Sequence, residues 1–253
     1  MLKKVIIATT VSALLAMSSS CFAGFGLPKV SVPKASTPAA SKSASDTNKT
    51  AVDTTDITKK QTEILKYMNS ALYAQLKSYM VVYEAMGSSN KELAQAANSL
   101  SNKGGSSTVK KVKSVLDKQA QQLSEDAKKA ITENKVQVQT LAAAMKTGKA
   151  YQQAAVANYG FVALHTPSAI QEATSALKNV GSNPMAVNKI NGAINTFKLG
   201  SQLASDSKKV NSEYNQVIDV LKKDFGVTDE ALANAQAPDV ENIANDCLDF
   251  VNK

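Results

Sequence analysis

The chain has 253 residues, 43% of them hydrophobic but only 5% aromatic, and no tryptophan. That is enough apolar material for one large domain or two small ones, and the scarcity of rings leaves the core to Ala, Leu, Val and Ile. The formal net charge is +8 and all 29 basic residues are lysine, so the planar arginine fork that grips phosphate and carboxylate bidentately is excluded.

Residues 1–23 read as a secretory signal peptide: basic Lys3 and Lys4, an apolar run from Val5 to Met17, then a polar stretch ending Cys21-Phe22-Ala23. The run is too short for a permanent membrane anchor, and the small residues before Gly24 suit cleavage there. The expected destination is the periplasm or the exterior. A rival reading lipidates Cys21 as a lipoprotein, although Ser18 stands where such sites usually carry leucine. The most apolar later segment, Ala154 to Leu164, is short and interrupted by Asn158, Tyr159 and Gly160, so no transmembrane segment is expected after the leader.

Residues 24–55 are rich in Pro, Ser, Ala, Thr and Lys, with Pro28, Pro33 and Pro38 at even spacing. Such a stretch has little to bury and reads as a disordered, flexible tether that would also suit O-glycosylation.

A helical bundle domain is expected over 56–253. Its first long helix runs from Asp56 to Gly87, and apolar spacings of three, four and seven from Ile57 through Leu72 to Met86 predict one buried face. Ser89-Asn90-Lys91-Glu92 has the form of a capping box for a short helix through Leu100, broken by Gly104-Gly105. A second long helix is predicted over Thr108–Thr147, with Gly148 as its left-handed stop and Asn134 as a polar residue in an apolar seam or, in another register, facing water. A further helix over Lys149–Leu164 should end near His165, and Thr166-Pro167 should cap and open the next, closed by Gly181. Asn183-Pro184 opens the third long helix, which ends at Gly226, with Gly200 marking a bend or a close crossing. Thr228 caps a short helix, and a last amphipathic helix runs from Pro238 towards Val251. Removal of the leader leaves Cys247 as the sole cysteine, on the stripe Val240, Ile243, Cys247, Val251; this places it in the core, an intermolecular disulfide being the other reading.

No period-two alternation points to sheet. The expectation is therefore an all-α, elongated bundle of three long amphipathic helices with several shorter ones, preceded by the tether.

The chemistry is sparse. The one histidine, His165, cannot supply the paired Glu-x-x-His of a di-iron bundle, and no haem, zinc, nucleophile-elbow or phosphate-loop pattern occurs. No cofactor, no metal and no catalytic residue is assigned. The carboxylate pairs Glu125-Asp126, Asp229-Glu230 and Asp246 with Asp249 read as solvated, and Tyr73, Tyr79 and Tyr83 read as core with their hydroxyls at the rim rather than as a ligand groove. The leading expectation is a non-catalytic exported interaction or structural protein that binds a protein or envelope component through a helical face, with weak attraction to anionic surfaces and no nucleic acid. A membrane-active helical protein, akin in architecture to an α-helical pore-forming toxin component, is the alternative; a carboxylate-based envelope enzyme is the third.

Overall fold

The computed structural model describes residues 54–101, 104–132, 136–181, 183–236 and 238–253. The leader, Cys21, nearly all of the linker and Asn134 lie outside the described residues. Among those described there are seven helices and no strand: α1 (Thr55–Ala85), α2 (Lys91–Leu100), α3 (Ser106–Thr132), α4 (Val138–Asn179), α5 (Pro184–Asp224), α6 (Asp229–Asn234) and α7 (Val240–Val251). Three are long, with 31, 42 and 41 residues in α1, α4 and α5. At ~1.5 Å per residue these are rods of roughly 46, 63 and 61 Å.

The bundle is arranged around α1, which contacts α2, α3, α4, α5 and α7. Pairings fix the directions. Lys60 meets Glu172, Tyr67 stacks on Phe161, and Gln152 bonds Ser78, so α4 runs antiparallel to α1. Gln61 bonds Thr196 and Tyr79 meets Tyr214, so α5 runs parallel to it.

The expected single buried face of α1 is corrected by this arrangement. From Met68 to Leu76 its buried residues are Met68, Asn69, Ser70, Ala71, Leu72, Ala74, Gln75 and Leu76, which fall on almost every side. A helix enclosed in this way must bury its polar residues as well as its greasy ones.

Most local start and stop signals act as expected, but the helix expected from the Ser89-Asn90-Lys91-Glu92 capping box is capped by Asn90 rather than Ser89, and the last helix is capped by Asp239. The Asn90 side chain accepts from Leu93 N–H, Asn183 from Met185 and Ala186 N–H, Thr228 from Ala231 N–H, and Asp239 from Glu241 and Asn242 N–H. Gly87 and Gly226 take the left-handed conformation, with φ of 70° and 67°, just beyond α1 and α5.

Two boundaries differ from expectation. The predicted helix over Thr108–Thr147 is two helices, α3 ending at Thr132 and α4 starting at Val138 after an extended Gln137. The sequence there, Ile131-Thr132-Glu133-Asn134, contains mediocre helix formers but neither Gly nor Pro. Breaking the rod lets the chain turn back, so that α4 lies against α1.

The second difference is that α4 runs uninterrupted through Gly148, His165 and Pro167, all of which were expected at helix boundaries. Gly148 serves a close approach instead: a Cβ there would sit 2.0 Å from the Tyr214 hydroxyl and 2.9 Å from the Ser78 carbonyl oxygen. Pro167 lies inside the helix, where it withholds its N–H from the carbonyl of Ala163 and crowds it with its ring. The stripe Val162, Thr166, Ala169 and Ala173, buried on either side of it, holds the helix together. Gly200 marks a close crossing, because a Cβ there would meet Val162, Met68 and Ile64 at 3.0–3.4 Å.

Candidate functional site

The buried polar residues of α1, Asn69, Ser70, Gln75 and Ser78, are hydrogen-bonded in the interior of the bundle. Asn158 Nδ2 donates to Ser70 Oγ at 2.8 Å, Gln152 Nε2 to Ser78 Oγ at 2.7 Å, and Tyr159 OH to Gln75 Oε1 at 3.2 Å. Ser78 Oγ in turn donates to the Gln75 carbonyl at 2.7 Å, and Tyr214 OH to the Ser78 carbonyl at 3.4 Å. Buried amides and hydroxyls are tolerable only when paired, and a pattern of pairs holds α1 and α4 in one register. Two buried side-chain acceptors stay unpaired among the described residues, Asn69 Oδ1 and Gln152 Oε1.

Burial decides the titration of this interior. It pushes the Tyr79, Tyr83, Tyr159 and Tyr214 hydroxyls well above the ordinary tyrosine value, and Tyr151 upward as well. Tyr73 is raised to about 12, by burial first and then by Cys247 and Tyr151 nearby. Cys247 is fully buried on α7 and is raised to about 12 by burial and Asp246, against a lowering by Lys77. Such a thiol holds its proton and is a poor nucleophile at neutral pH.

The residues singled out in the sequence are scattered rather than gathered. Tyr73 stacks on Phe250 at 3.9 Å, Tyr79 meets Tyr214 edge-on at 5.3 Å, and Tyr83 OH donates to Asp126 Oδ2 at 3.2 Å. Asp126 also lies 3.5 Å from Lys129, Glu125 accepts from Gln121, and Asp229 pairs with Lys222. Asp246 and Asp249 are exposed on α7. Among the described residues no group of three or more His, Cys, Asp or Glu side chains is placed to hold a metal ion. None of their helices is long and apolar enough to cross a membrane.

His165 is exposed in mid-helix, its ring 4.1 Å from Phe161. Phe161 is itself stacked on Tyr67 of α1, with ring centroids 3.7 Å apart and planes at 17°. Leu164, one helical turn along from Phe161, is 73% exposed. Tyr67, Phe161, Leu164 and His165 thus form a ridge of rings and one leucine on the outer side of the α1–α4 pair. Sequence periodicity did not single it out, because Tyr67 and Phe161 sit beside core positions Met68 and Val162 and look like part of the same stripe.

Searches of protein-family models, curated proteins and solved structures found no match to this chain.

Proposed function

We propose that the chain is an exported, non-catalytic binding protein whose helical bundle presents the α1–α4 ridge to a protein or envelope partner. The observation that carries this reading is Leu164, 73% exposed beside the Tyr67–Phe161–His165 stack. Single exposed leucines are ordinary, but an exposed leucine continuous with three rings is the composition of an interface centre. The interior supports the same reading: the Ser70, Gln75, Ser78, Gln152, Asn158 and Tyr159 side chains are engaged in bonding α1 to α4.

The test places a photo-crosslinking amino acid at position 164 and, as a control, at exposed Lys118 on α3, followed by irradiation in the native cell and fractionation. Adducts specific to position 164 and lost in F161A support the reading, provided circular dichroism shows F161A folded. Equal adducts at both positions, or capture unaffected by F161A, refute it. Leakage from liposomes that depends on Leu164 would replace it by the membrane-active alternative, and hydrolysis of an envelope polymer by the enzyme alternative.

A further inference from the structure

The outer side of α4 carries a long strip without charge. The chain is 20% charged, yet the 28 residues between Lys149 and Lys178 hold one carboxylate, Glu172, and no lysine. Glu172 is paired with Lys60 of α1, and His165 lies on the flank beside Phe161. The exposed side of α3, by contrast, carries Lys110, Lys111, Lys118 and Lys129. A solvated helix face of such length is normally charged as well as polar. At ~1.5 Å per residue the strip is roughly 42 Å long.

The strip is also symmetric about its middle. Val162 is fully buried beside Gly200 of α5, so the direction opposite it on α4 points straight outward. At about 100° per residue, Gln153 and Gln171 both fall on that outward line, Gly160 and Leu164 about 20° to either side of it, and Ala157 and Pro167 about 40° to either side. Gln153, Ala157, Pro167 and Gln171 are exposed, and Leu164 is 73% exposed. Leu164 therefore makes a bump one helical turn from the hollow at Gly160. A second α4 laid antiparallel, with a two-fold axis level with Val162, sets the Leu164 of each copy into the other's hollow at Gly160. The same operation brings Gln153 opposite Gln171, where two amides can pair, and Ala157 opposite Pro167.

We propose that a second copy of this chain covers the strip, α4 against α4 in antiparallel, around a two-fold axis opposite Val162. This names the partner for the binding reading above and rests on the exposed Leu164 that carries it. Charge favours a copy over a different partner. Two chains of formal charge +8 repel each other, and they meet at least cost where neither presents an ammonium group. An acidic partner would find no lysine on the strip. Lys146, one turn beyond Lys149, is turned to the carbonyls of Ala233 and Ala235. A strip of this length and about 12 Å of helix width buries about 500 Å2 per copy and about 1,000 Å2 in all, the lower bound of a specific interface. The dimer is accordingly weak, with a Kd on the order of 10–100 µM.

The test is sedimentation equilibrium of the purified chain from about 1 to about 500 µM, a range that brackets this Kd. A monomer–dimer equilibrium should appear and should tighten with added salt, which screens the repulsion between basic copies. L164K should weaken it about tenfold or more, by setting two ammonium groups in the interface, while S114K on exposed α3 leaves it unchanged. Circular dichroism and thermal melts establish that both variants are folded. Register is read by oxidation of Q153C mixed with a tagged Q171C, Cys247 being buried and out of reach. The mixture should give a cross-linked heterodimer and either variant alone little, because like positions stand about 27 Å apart along the axes. Monomer at every concentration, a dimer that salt weakens, equal association of L164K and S114K, or self-linking of Q153C as ready as linking to Q171C would overturn the proposal. Monomer together with capture of another protein at position 164 in cells overturns this inference alone and leaves the broader binding reading standing.

Discussion

Replacing Gly148 by alanine tests how closely α4 lies on α1 and α5. Alanine is the better helix former by about 1 kcal/mol, so a glycine that merely interrupted the helix would be improved by the change. Here the new Cβ would fall 2.0 Å from the Tyr214 hydroxyl oxygen, 3.2 Å from its Cζ and 2.9 Å from the Ser78 carbonyl oxygen. Tyr214 is wholly buried and set edge-on to Tyr79. Its ring is enclosed against Tyr79, and moving it also breaks the bond from its hydroxyl to the Ser78 carbonyl. Overpacking costs about 1–3 kcal/mol and an unpaired buried hydroxyl about as much again. Against the propensity gain, G148A should lose about 2–3 kcal/mol, or about 5–10 °C in Tm for a domain of this size. Urea and thermal melts followed by circular dichroism measure it. Gly192 on α5 is the control, since a Cβ there meets nothing within 4 Å and G192A should gain up to about 1 kcal/mol. Y214F in the G148A background should recover part of the loss, leaving the approach to the Ser78 carbonyl. G148A as stable as G192A would refute this packing.

Three further outcomes follow from the interior. Q152M removes an amide whose Oε1 has no partner and leaves Ser78 Oγ its bond to the Gln75 carbonyl, so chemical denaturation should place the variant within about 1 kcal/mol of the parent or above it. Cys247, buried and raised to about 12, should resist an aromatic disulfide reagent at pH 8 in the folded chain and react fully in denaturant; rapid native labelling would contradict its placement. Burial raises Tyr73 from 10.0 to about 12 and shifts Tyr79, Tyr83, Tyr159 and Tyr214 the same way. Groups raised in the folded state stabilise it fully below their unfolded pKa, so denaturation midpoints should fall as pH climbs from about 10 towards 12.

The parts of this fold that were legible in the sequence are those decided locally. Asn183 and Thr228 cap helices because their side chains reach N–H groups two or three residues on, and Gly87 and Gly226 end helices because they accept a positive φ. Gly148 and Thr166-Pro167 send the same signals, yet the helix continues through both, because tertiary packing of α4 against α1 and α5 outweighs them. The separation of α3 from α4 had the opposite character, since neither Gly nor Pro stands between Thr132 and Val138 to mark it. Burial was least legible where it is polar. Asn69, Ser70, Gln75 and Ser78 resemble a solvent face in the pattern of α1, and only enclosure by five neighbouring helices turns them inward. The ridge was hidden for a related reason: Tyr67 and Phe161 have the composition of core, and their exposure depends on which side of the α1–α4 pair lacks a neighbour.

The enclosure of α1 is the claim on which the register and the ridge depend, and amide hydrogen exchange measures it directly. Residues Met68 to Tyr83 should exchange slowest in the chain, at the rate of global unfolding, on every side of the helix, while the short α6, which contributes no buried residue, exchanges fastest among the helices. Alternating fast and slow amides along α1, with the period of a helix that has one wet face, would contradict it.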